Sequence, residues 1–373
     1  MLVIPDLPFH IGPTKRPTNP AGIPNHLKFK LRFEKQTGLL SQVVNRRSNR
    51  YIQKAHKIGN NIGTPLSKEK HSKPYVDDFL SFIRKMARVH GKALEIGCGG
   101  GYLCACLKKI GWSVQGIEPG LGYLKEWKKN KIKVIHGFFP NNLASGPYDL
   151  IYSYAVLEHI KDLSSFLDQV KKHLAPRGKL ILAVPDCTNE IKSGDPAMLL
   201  HEHFHYFNKP SLKHILFKAG FSVQVKSSGY GRAIYVSASQ ALSEKPKRNS
   251  RIWKESKKYE KKCTAFIKLS KTLLKNLSKK KEIGLYCPTR GLAVIPKNSS
   301  FRFFDDSPEF HGKYVPPHPH PIENFGELRR NPPEAIVILT QTFEKQIIKK
   351  INRIAPKISA KSLKDFLKAK GKE

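Results

Sequence analysis

The stretch that most constrains the fold of this chain is residues 93–101, Ala-Leu-Glu-Ile-Gly-Cys-Gly-Gly-Gly. An apolar run, which predicts a buried strand, leads straight into a glycine turn, and the helical pattern of residues 102–110 follows. Glycine permits a tight turn in which the backbone comes close to a ligand. The stretch therefore predicts a parallel α/β sheet with a ligand site at the carboxyl end of this strand.

An acidic residue at the end of the next apolar run indicates the kind of ligand. Residues 112–117 form this run, and Glu118 follows it, 21 residues after Gly97. A carboxylate at a strand end can accept hydrogen bonds from both hydroxyls of a ribose. The glycine turn and Glu118 together predict a nucleoside site.

The glycine spacing narrows the choice of nucleoside. Gly97, Gly99 and Gly101 give G-x-G-x-G, whereas a dinucleotide-binding turn has G-x-G-x-x-G. Glu95 precedes the turn, so an anionic ligand would gain little there. Tight-turn chemistry alone also explains a glycine triplet, and the ordered set of motifs is the stronger evidence.

Four segments in order resemble motifs of the class I S-adenosylmethionine-dependent methyltransferases. They are residues 93–101 (first motif), 116–119 (second motif), 148–160 (fourth strand and its V-L-E-H segment) and 174–184 (entry into the fifth strand). The resemblance implies a Rossmann-like core that binds S-adenosylmethionine. It places Glu95 near the ammonium of this cofactor and Glu118 at its ribose. Phe138 lies where the family contacts adenine, often through an acidic residue, so stacking on its ring would replace a hydrogen bond.

The block His-Glu-His-Phe-His-Tyr-Phe at residues 201–207 resembles the H-E-H-x-x-Y-F block of the sugar C-methyltransferases. Transfer to a carbon beside a ketone needs a base that removes a proton. Carried over by position, His203 is this base and Glu202 assists it or holds the substrate. Tyr206 is implied as a substrate contact, and His159 of the V-L-E-H segment points into the same pocket.

Other interpretations of this block stay open. A capped turn with buried aromatic rings ahead of a helix at residues 211–219 would also explain it. Leu200 occupies the position of a family tyrosine, which puts one substrate contact in doubt. On an extended segment His201, His203 and His205 would share one face without a defined fourth ligand, so no metal is expected.

The C-terminal part of the chain predicts a second, smaller α/β domain. Its apolar strands are residues 283–287, 301–306 and 335–340. Short blocks within residues 283–351 resemble the C-terminal domain of the sugar C-methyltransferases, which methylate nucleotide-linked keto sugars: residues 304–308, 312–316, 321–323 and 333–339. A small-molecule or glycan acceptor is therefore implied, most specifically a nucleotide-linked sugar methylated at carbon.

The cysteines and apolar runs set limits on the rest of the molecule. The sugar C-methyltransferases usually begin with a cysteine-rich zinc module, but no cysteine precedes Cys98, and the chain has no C-x-x-C pair. Nothing near the N-terminus resembles a signal peptide, and no apolar stretch approaches the ~18 residues that cross a bilayer. A cytoplasmic protein with reduced thiols is expected.

The expected domains follow from these patterns. They are an N-terminal extension (1–74), the methyltransferase core (75–240), a basic connecting helix (241–282), the small α/β domain (283–356) and a basic tail (357–373).

The formal charge of +38 is the main reason to consider other functions. Such an excess attracts polyanions, which makes an RNA methyltransferase an alternative. The basic segments at 241–285 and 357–373 do not interleave aromatic residues as a base-stacking surface would, and residues 153–156 lack an N-P-P-Y motif. A non-catalytic polyanion-binding protein with a vestigial core is a further alternative, but an intact glycine turn with Glu118 argues against it.

Overall fold

The computed structural model describes residues 1–58, 72–87, 91–241, 251–279, 282–297, 300–341 and 344–370. Its strands are, in chain order, β1 (Leu2–Pro8), β2 (His26–Phe33), β3 (Leu40–Gln42), β4 (Lys92–Ile96), β5 (Ser113–Glu118), β6 (Lys133–His136), β7 (Tyr148–Tyr154), β8 (Leu174–Pro185), β9 (His205–Tyr206), β10 (Phe221–Ser227), β11 (Ala233–Gln240), β12 (Ile283–Tyr286), β13 (Arg302–Phe304), β14 (Ile322–Glu323), β15 (Ala335–Ile338) and β16 (Ser359–Ser362). Its α-helices are α1 (Arg46–Ile58), α2 (Lys73–Met86), α3 (Tyr102–Lys109), α4 (Leu124–Asn130), α5 (Leu163–His173), α6 (Thr188–Ser193), α7 (Lys209–Lys218), α8 (Arg251–Ser278), α9 (Glu327–Arg330), α10 (Glu344–Ile354) and α11 (Leu363–Lys370).

The central sheet has seven strands in the order β10-β11-β8-β7-β4-β5-β6. Strands β4 to β8 are mutually parallel, and β11 and β10 add an antiparallel edge. Apolar side chains cover both faces, with α2 and α3 over one and α5 and α7 over the other. The Rossmann-like methyltransferase core is thereby confirmed, including the antiparallel addition expected at its edge.

The N-terminal residues do more than extend the core. The alternating segment 27–33 forms β2, which buries Phe29 and Leu31, and β1, β2 and β3 build an antiparallel sheet. The fourth strand of this sheet is β9, which lies within the 201–207 block and pairs Leu40 with Tyr206. The sheet of the N-terminal extension is therefore completed by a strand of the core. Residues 59–71 lie outside the described part.

The C-terminal sheet has five parallel strands in the order β14-β13-β12-β15-β16. Three of them fall in the expected apolar segments. The fifth, β16, pairs with β15 and belongs to the segment that we expected to be a basic tail. A boundary at residue 356 would therefore remove an edge strand and α11 from this domain.

The long helix α8 packs against both domains. Its buried residues include Tyr259, whose hydroxyl donates to the carbonyl oxygen of Asp195 at 3.0 Å, and Leu273 and Leu274, which join the C-terminal core. The connecting helix is therefore also a packing element. Residues 242–250 and 280–281 of the expected connector are not among the described residues. In the described part of the chain, no helix combines the length and apolarity needed to cross a membrane.

Candidate active site

The glycine turn follows β4 and opens onto a cavity at the carboxyl edge of the central sheet. Gly97 and Gly99 have left-handed backbone, with φ of 72° and 48°, and Gly101, with φ of 73°, immediately precedes α3. A Cβ atom at Gly97 would lie 2.5 Å from Cγ2 of Val156, so glycine allows the segment after β7 to pack here. At Gly99 the nearest atom would be 3.9 Å away, on Tyr123. The backbone at Gly99 is therefore accessible from the cavity.

Glu118 lies at the end of β5 and faces the same cavity. Its carboxylate accepts hydrogen bonds from the backbone N–H of Gly99 at 2.9 Å and of Gly120 at 2.8 Å. Burial raises the pKa of Glu118, and these two N–H groups oppose that effect. A carboxylate has about four acceptor positions, so about two remain for the two hydroxyls of a ribose. The carboxylate is thus held in place and still able to accept.

Phe138 lies beyond β6 on the wall of the cavity, with 54 % of its surface exposed. Its ring is available for stacking on a base. Tyr123, which the sequence analysis did not single out, contributes a second ring to this wall. The accessible turn at Gly99, the held carboxylate of Glu118 and these rings fit an adenosyl group.

Glu95 lies beneath the turn and is almost fully buried. Cys104 and Tyr152 donate to one of its oxygens, at 2.9 and 3.1 Å. Burial, followed by Cys104, raises its pKa well above the usual range. These contacts tie β4 to α3 and β7, and the implied role toward an ammonium stays a prediction.

Three histidines and a carboxylate meet at the other end of the cavity. The rings of His159 and His203 are 4.8 Å apart, and those of His56 and His159 are 5.5 Å apart. Nε2 of His56 lies 3.7 Å from a carboxylate oxygen of Glu202. The N–H of Phe204 donates to the carbonyl oxygen of Glu158 at 2.8 Å, which fixes the two loops relative to each other. The structure thus brings His159, Glu202 and His203 together as expected.

Sequence reasoning missed two residues of this cluster. His56 comes from α1, far along the chain, and no local pattern links it to the block at 201–207. Glu158 was visible in the V-L-E-H segment but was given no role. Among the described residues, Oε2 of Glu158, Nδ1 of His159 and Nε2 of His56 are buried without a hydrogen-bond partner. Such atoms in a cavity indicate a site that meets a ligand.

Burial determines the charge of these groups. It lowers the pKa of His203 to about 3, with further contributions from Arg290 and His56. Burial also lowers the pKa of His159 well below its usual range, with His203 and His56 adding to the effect. The pKa of Glu158 is raised by burial to about 8. At neutral pH the imidazoles are therefore uncharged and Glu158 carries a proton.

The block at 201–207 is not the extended segment on which the three histidines would share one face. The N–H of His203 donates to the carbonyl oxygen of Leu200 at 3.1 Å, which closes a turn. His201 stacks on Phe9, and His205 contacts Oγ of Ser41 at 3.0 Å. The three histidines therefore do not share one face: two of them support the N-terminal sheet, and only His203 lines the cavity.

Different groups of side chains could supply metal ligands. Their ligand atoms lie within 4.8 Å of one another in two overlapping sets: His56, His159 and Glu202, and Glu158, His159 and His203.

Tyr206 needs a correction. Its side chain is fully buried, and its hydroxyl donates to the carbonyl oxygen of Leu200 at 3.0 Å. It does not line the cavity, so the substrate contact implied for it is not supported. β9 pairs with the N-terminal sheet and turns this ring inward, where it holds the turn that carries Glu202 and His203.

The C-terminal domain also lines the cavity, of about 970 Å³, which therefore lies between the two domains. Its volume is in the upper range for small-molecule sites. The C-terminal lining includes Tyr286, Cys287, Arg290, Asp305, Asp306 and Lys350.

The fold and the nucleoside site define the class of the core: a Rossmann-like domain built to bind S-adenosylmethionine. Residues 69–225 match the family model described as a methyltransferase domain. The chain therefore contains a class I S-adenosylmethionine-dependent methyltransferase domain, and S-adenosylmethionine is its cofactor.

Curated relatives match the same region. The chain is 28 % identical over 101 residues to the mitochondrial ubiquinone biosynthesis O-methyltransferase of Schizosaccharomyces pombe, covering 25 % of this chain and 37 % of that protein. It is 30 % identical over 98 residues to the ubiquinone biosynthesis O-methyltransferase of Pelagibacter ubique, covering 25 % and 41 %. The chain thus spans less than half the length of these relatives.

Solved structures resemble the core at low identity. A protein of Pyrococcus horikoshii is 16 % identical with a TM-score of 0.40, covering 48 % of this chain and 93 % of that one. An S-adenosylmethionine-dependent methyltransferase of Thermotoga maritima is 19 % identical with a TM-score of 0.35, covering 45 % and 92 %.

Proposed function

We propose that this protein transfers the methyl group of S-adenosylmethionine to a carbon of a nucleotide-linked keto sugar. The observation that carries the proposal is the single cavity, which joins the glycine turn and Glu118 at one end to His203 at the other. The second domain closes this cavity and contains the blocks that resemble the sugar C-methyltransferases.

The cofactor end of the proposed site positions the methyl donor. Glu118 would accept from the ribose hydroxyls, Phe138 would stack on the adenine, and the backbone at Gly99 leaves room for the rest. S-adenosylmethionine, when bound, supplies a methyl group on a positively charged sulfur. The task of the protein is then to hold the acceptor in line with that group and to activate it.

At the acceptor end, His203 takes the proton from the carbon beside the ketone. It is neutral because burial lowers its pKa to about 3, and the same low pKa makes it a weak base that needs help. Glu158 provides this help: it holds a proton, and its carboxyl lies within 4.8 Å of the His203 and His159 nitrogens.

The proton balance keeps the buried site neutral. The C–H bond breaks, its proton moves to His203, and Glu158 gives its own proton to the ketone oxygen. The resulting imidazolium and carboxylate offset each other. The enol carbon then forms the new bond to the methyl group as the bond between that methyl carbon and sulfur breaks, the sulfur keeps the electron pair of the broken bond, and the enol proton returns to Glu158. The proton on His203 leaves to water.

Proton exchange tests the base independently of methyl transfer. The protein would be incubated in D2O with a thymidine-diphosphate-linked 4-keto sugar, without S-adenosylmethionine. We expect NMR to show loss of the proton on the carbon beside the ketone. His203→Asn should stop this exchange, and His320→Asn, at an exposed histidine, should not. Unchanged exchange in His203→Asn would assign the base to another group.

Transfer to oxygen is the second candidate, because the curated relatives of the domain are ubiquinone biosynthesis O-methyltransferases. A catechol acceptor offered with S-adenosylmethionine distinguishes the two candidates, since a catechol has no carbon beside a ketone that His203 must deprotonate.

A further inference from the structure

Two arginines from different domains line the cavity on the acceptor side. Arg232 lies in the loop between β10 and β11, and Arg290 ends the short 3-10 turn Pro288–Arg290 after β12. Both loops contain strained backbone: φ is 67° at Arg232 itself and 56° at Cys287, where the second turn begins. Left-handed backbone at such residues is strained, and strained backbone concentrates at ligand sites.

The two arginines line the same cavity as His203. Burial and the charge of Arg290 lower the pKa of Arg232, and Arg290 also contributes to the lowered pKa of His203. The charge that acts on Glu118 comes instead from His136. Arg290 therefore acts electrostatically on the residue assigned to the acceptor.

The two arginines differ in their ionic partners. Arg232 pairs with the buried carboxylate of Glu190. Asp306 pairs with Lys350, and Oδ1 of Asp305 accepts from the N–H of Ser307 at 3.0 Å. Arg290 forms no ion pair within the described part of the chain. The guanidinium of Arg290 lines the cavity and is thus available to an anionic ligand.

We propose that Arg290 and Arg232 bind the diphosphate of the nucleotide-linked acceptor, one arginine from each side of the cavity. The proposal rests on the proposed function and identifies the part of the substrate that the C-terminal domain recognises. The planar fork of a guanidinium matches phosphate oxygens in pairs. Two forks from opposite walls would fix the diphosphate and direct the sugar toward His203.

The test is calorimetric binding of thymidine diphosphate and of thymidine, in the presence of S-adenosylhomocysteine. Arg290→Ala should weaken binding of thymidine diphosphate at least tenfold, and Arg290→Lys should weaken it less. Neither substitution should change the affinity for thymidine. Arg329→Ala is the matched control, because Arg329 is exposed in the same domain and does not line the cavity. Arg232 is left intact, since its removal would leave Glu190 buried without its partner.

Three results would overturn the proposal: no binding of thymidine diphosphate by the parent protein, equal affinity for it in Arg290→Ala, or an equal loss of affinity for thymidine in that variant. The measurements also distinguish failure of the proposed function from failure of the arginine site. If no keto sugar is methylated but Arg290→Ala still loses the diphosphate, the arginine site stands without the sugar chemistry. If keto sugars are methylated and Arg290→Ala binds normally, only the arginine site is wrong.

Discussion

Burial gives the residues of the cavity their chemical properties. The same imidazole that titrates near neutrality in water is held uncharged at His203 and His159, whereas Glu158 is held protonated. A base and an acid of this kind can exchange protons with an acceptor without creating net charge in a low-dielectric site. The proposed proton transfer therefore depends on the environment of a few side chains.

Glu158→Gln should change how stability depends on pH. The pKa of Glu158 is about 8 in the folded protein, against an ordinary value of 4.5, so the folded state holds a proton that the unfolded state has lost. Its contribution to stability is present below pH 4.5 and is lost as pH rises through 8. Between pH 4.5 and 8, the unfolding free energy of the variant should therefore rise relative to that of the parent protein by up to about 1.4 kcal/mol per pH unit.

Urea unfolding of both proteins at pH 5 and pH 8 measures this difference. Asp168→Asn, at an exposed acid on α5, serves as the control and should follow the parent protein at both values. Equal stability changes with pH in Glu158→Gln and the parent would show that Glu158 is ionised in the folded state.

At the scale of residues, local spacing in the sequence predicted the site residues that directly follow a strand. It did not predict the site residues that come from distant parts of the chain. Gly97 and Glu118 are recognisable because each is fixed by the strand it follows. His56, Arg232 and Arg290 reach the cavity from separate parts of the chain, so no spacing in the sequence reveals them. Tyr206 illustrates the opposite error: its motif position suggested the substrate, but pairing of β9 with the N-terminal sheet buries it.

At the scale of elements, the N-terminal sheet supports the catalytic turn. β3 pairs with β9, and Nε2 of His201 lies 3.2 Å from the carbonyl oxygen of Leu7 in β1. Phe29 of β2 meets His201 edge-on at 5.5 Å and Tyr206 at 6.4 Å. The turn that carries Glu202 and His203 is thus held on one side by residues that precede this turn by more than 150 positions.

Phe29→Ala should show this dependence. The ring is fully buried, so its removal should cost about 3–5 kcal/mol of unfolding free energy. Turnover of the folded protein should also fall, because His201 and Tyr206 lose the contact that fixes the turn, while affinity for S-adenosylmethionine changes little. Val3→Ala, at a position 41 % exposed on β1, should stay within about 0.5 kcal/mol of the parent. Parent-like stability and turnover in Phe29→Ala would contradict a supporting role for this sheet.

Sequence periodicity identified most strands of the two α/β sheets because their buried runs are apolar. β16 was missed since Ser-Ala-Lys-Ser carries no such pattern, and only its parallel neighbour β15 makes it a strand. β9 was missed because it has two residues, too few for an apolar pattern, and because its partner strand β3 lies some 160 positions away in the sequence.

At the scale of the whole molecule, the methyltransferase core and the C-terminal domain line a shared cavity. The methyltransferase core supplies the cofactor end, the N-terminal sheet holds the catalytic turn, and the C-terminal domain adds Arg290 to the acceptor wall. A net charge of +38 would attract any anionic acceptor over a distance. A nucleotide-linked sugar is such an acceptor, so its attraction would explain the positive charge without a polymeric substrate such as RNA.

Transfer of labelled methyl from S-adenosylmethionine tests the central claim most directly. The purified protein would be offered a thymidine-diphosphate-linked 4-keto sugar, a catechol and RNA in parallel, and each product would be analysed for label. We predict label on a carbon of the sugar nucleotide with the parent protein and no such label with His203→Asn. Label on RNA or on the catechol oxygen, with none on the sugar, would contradict it.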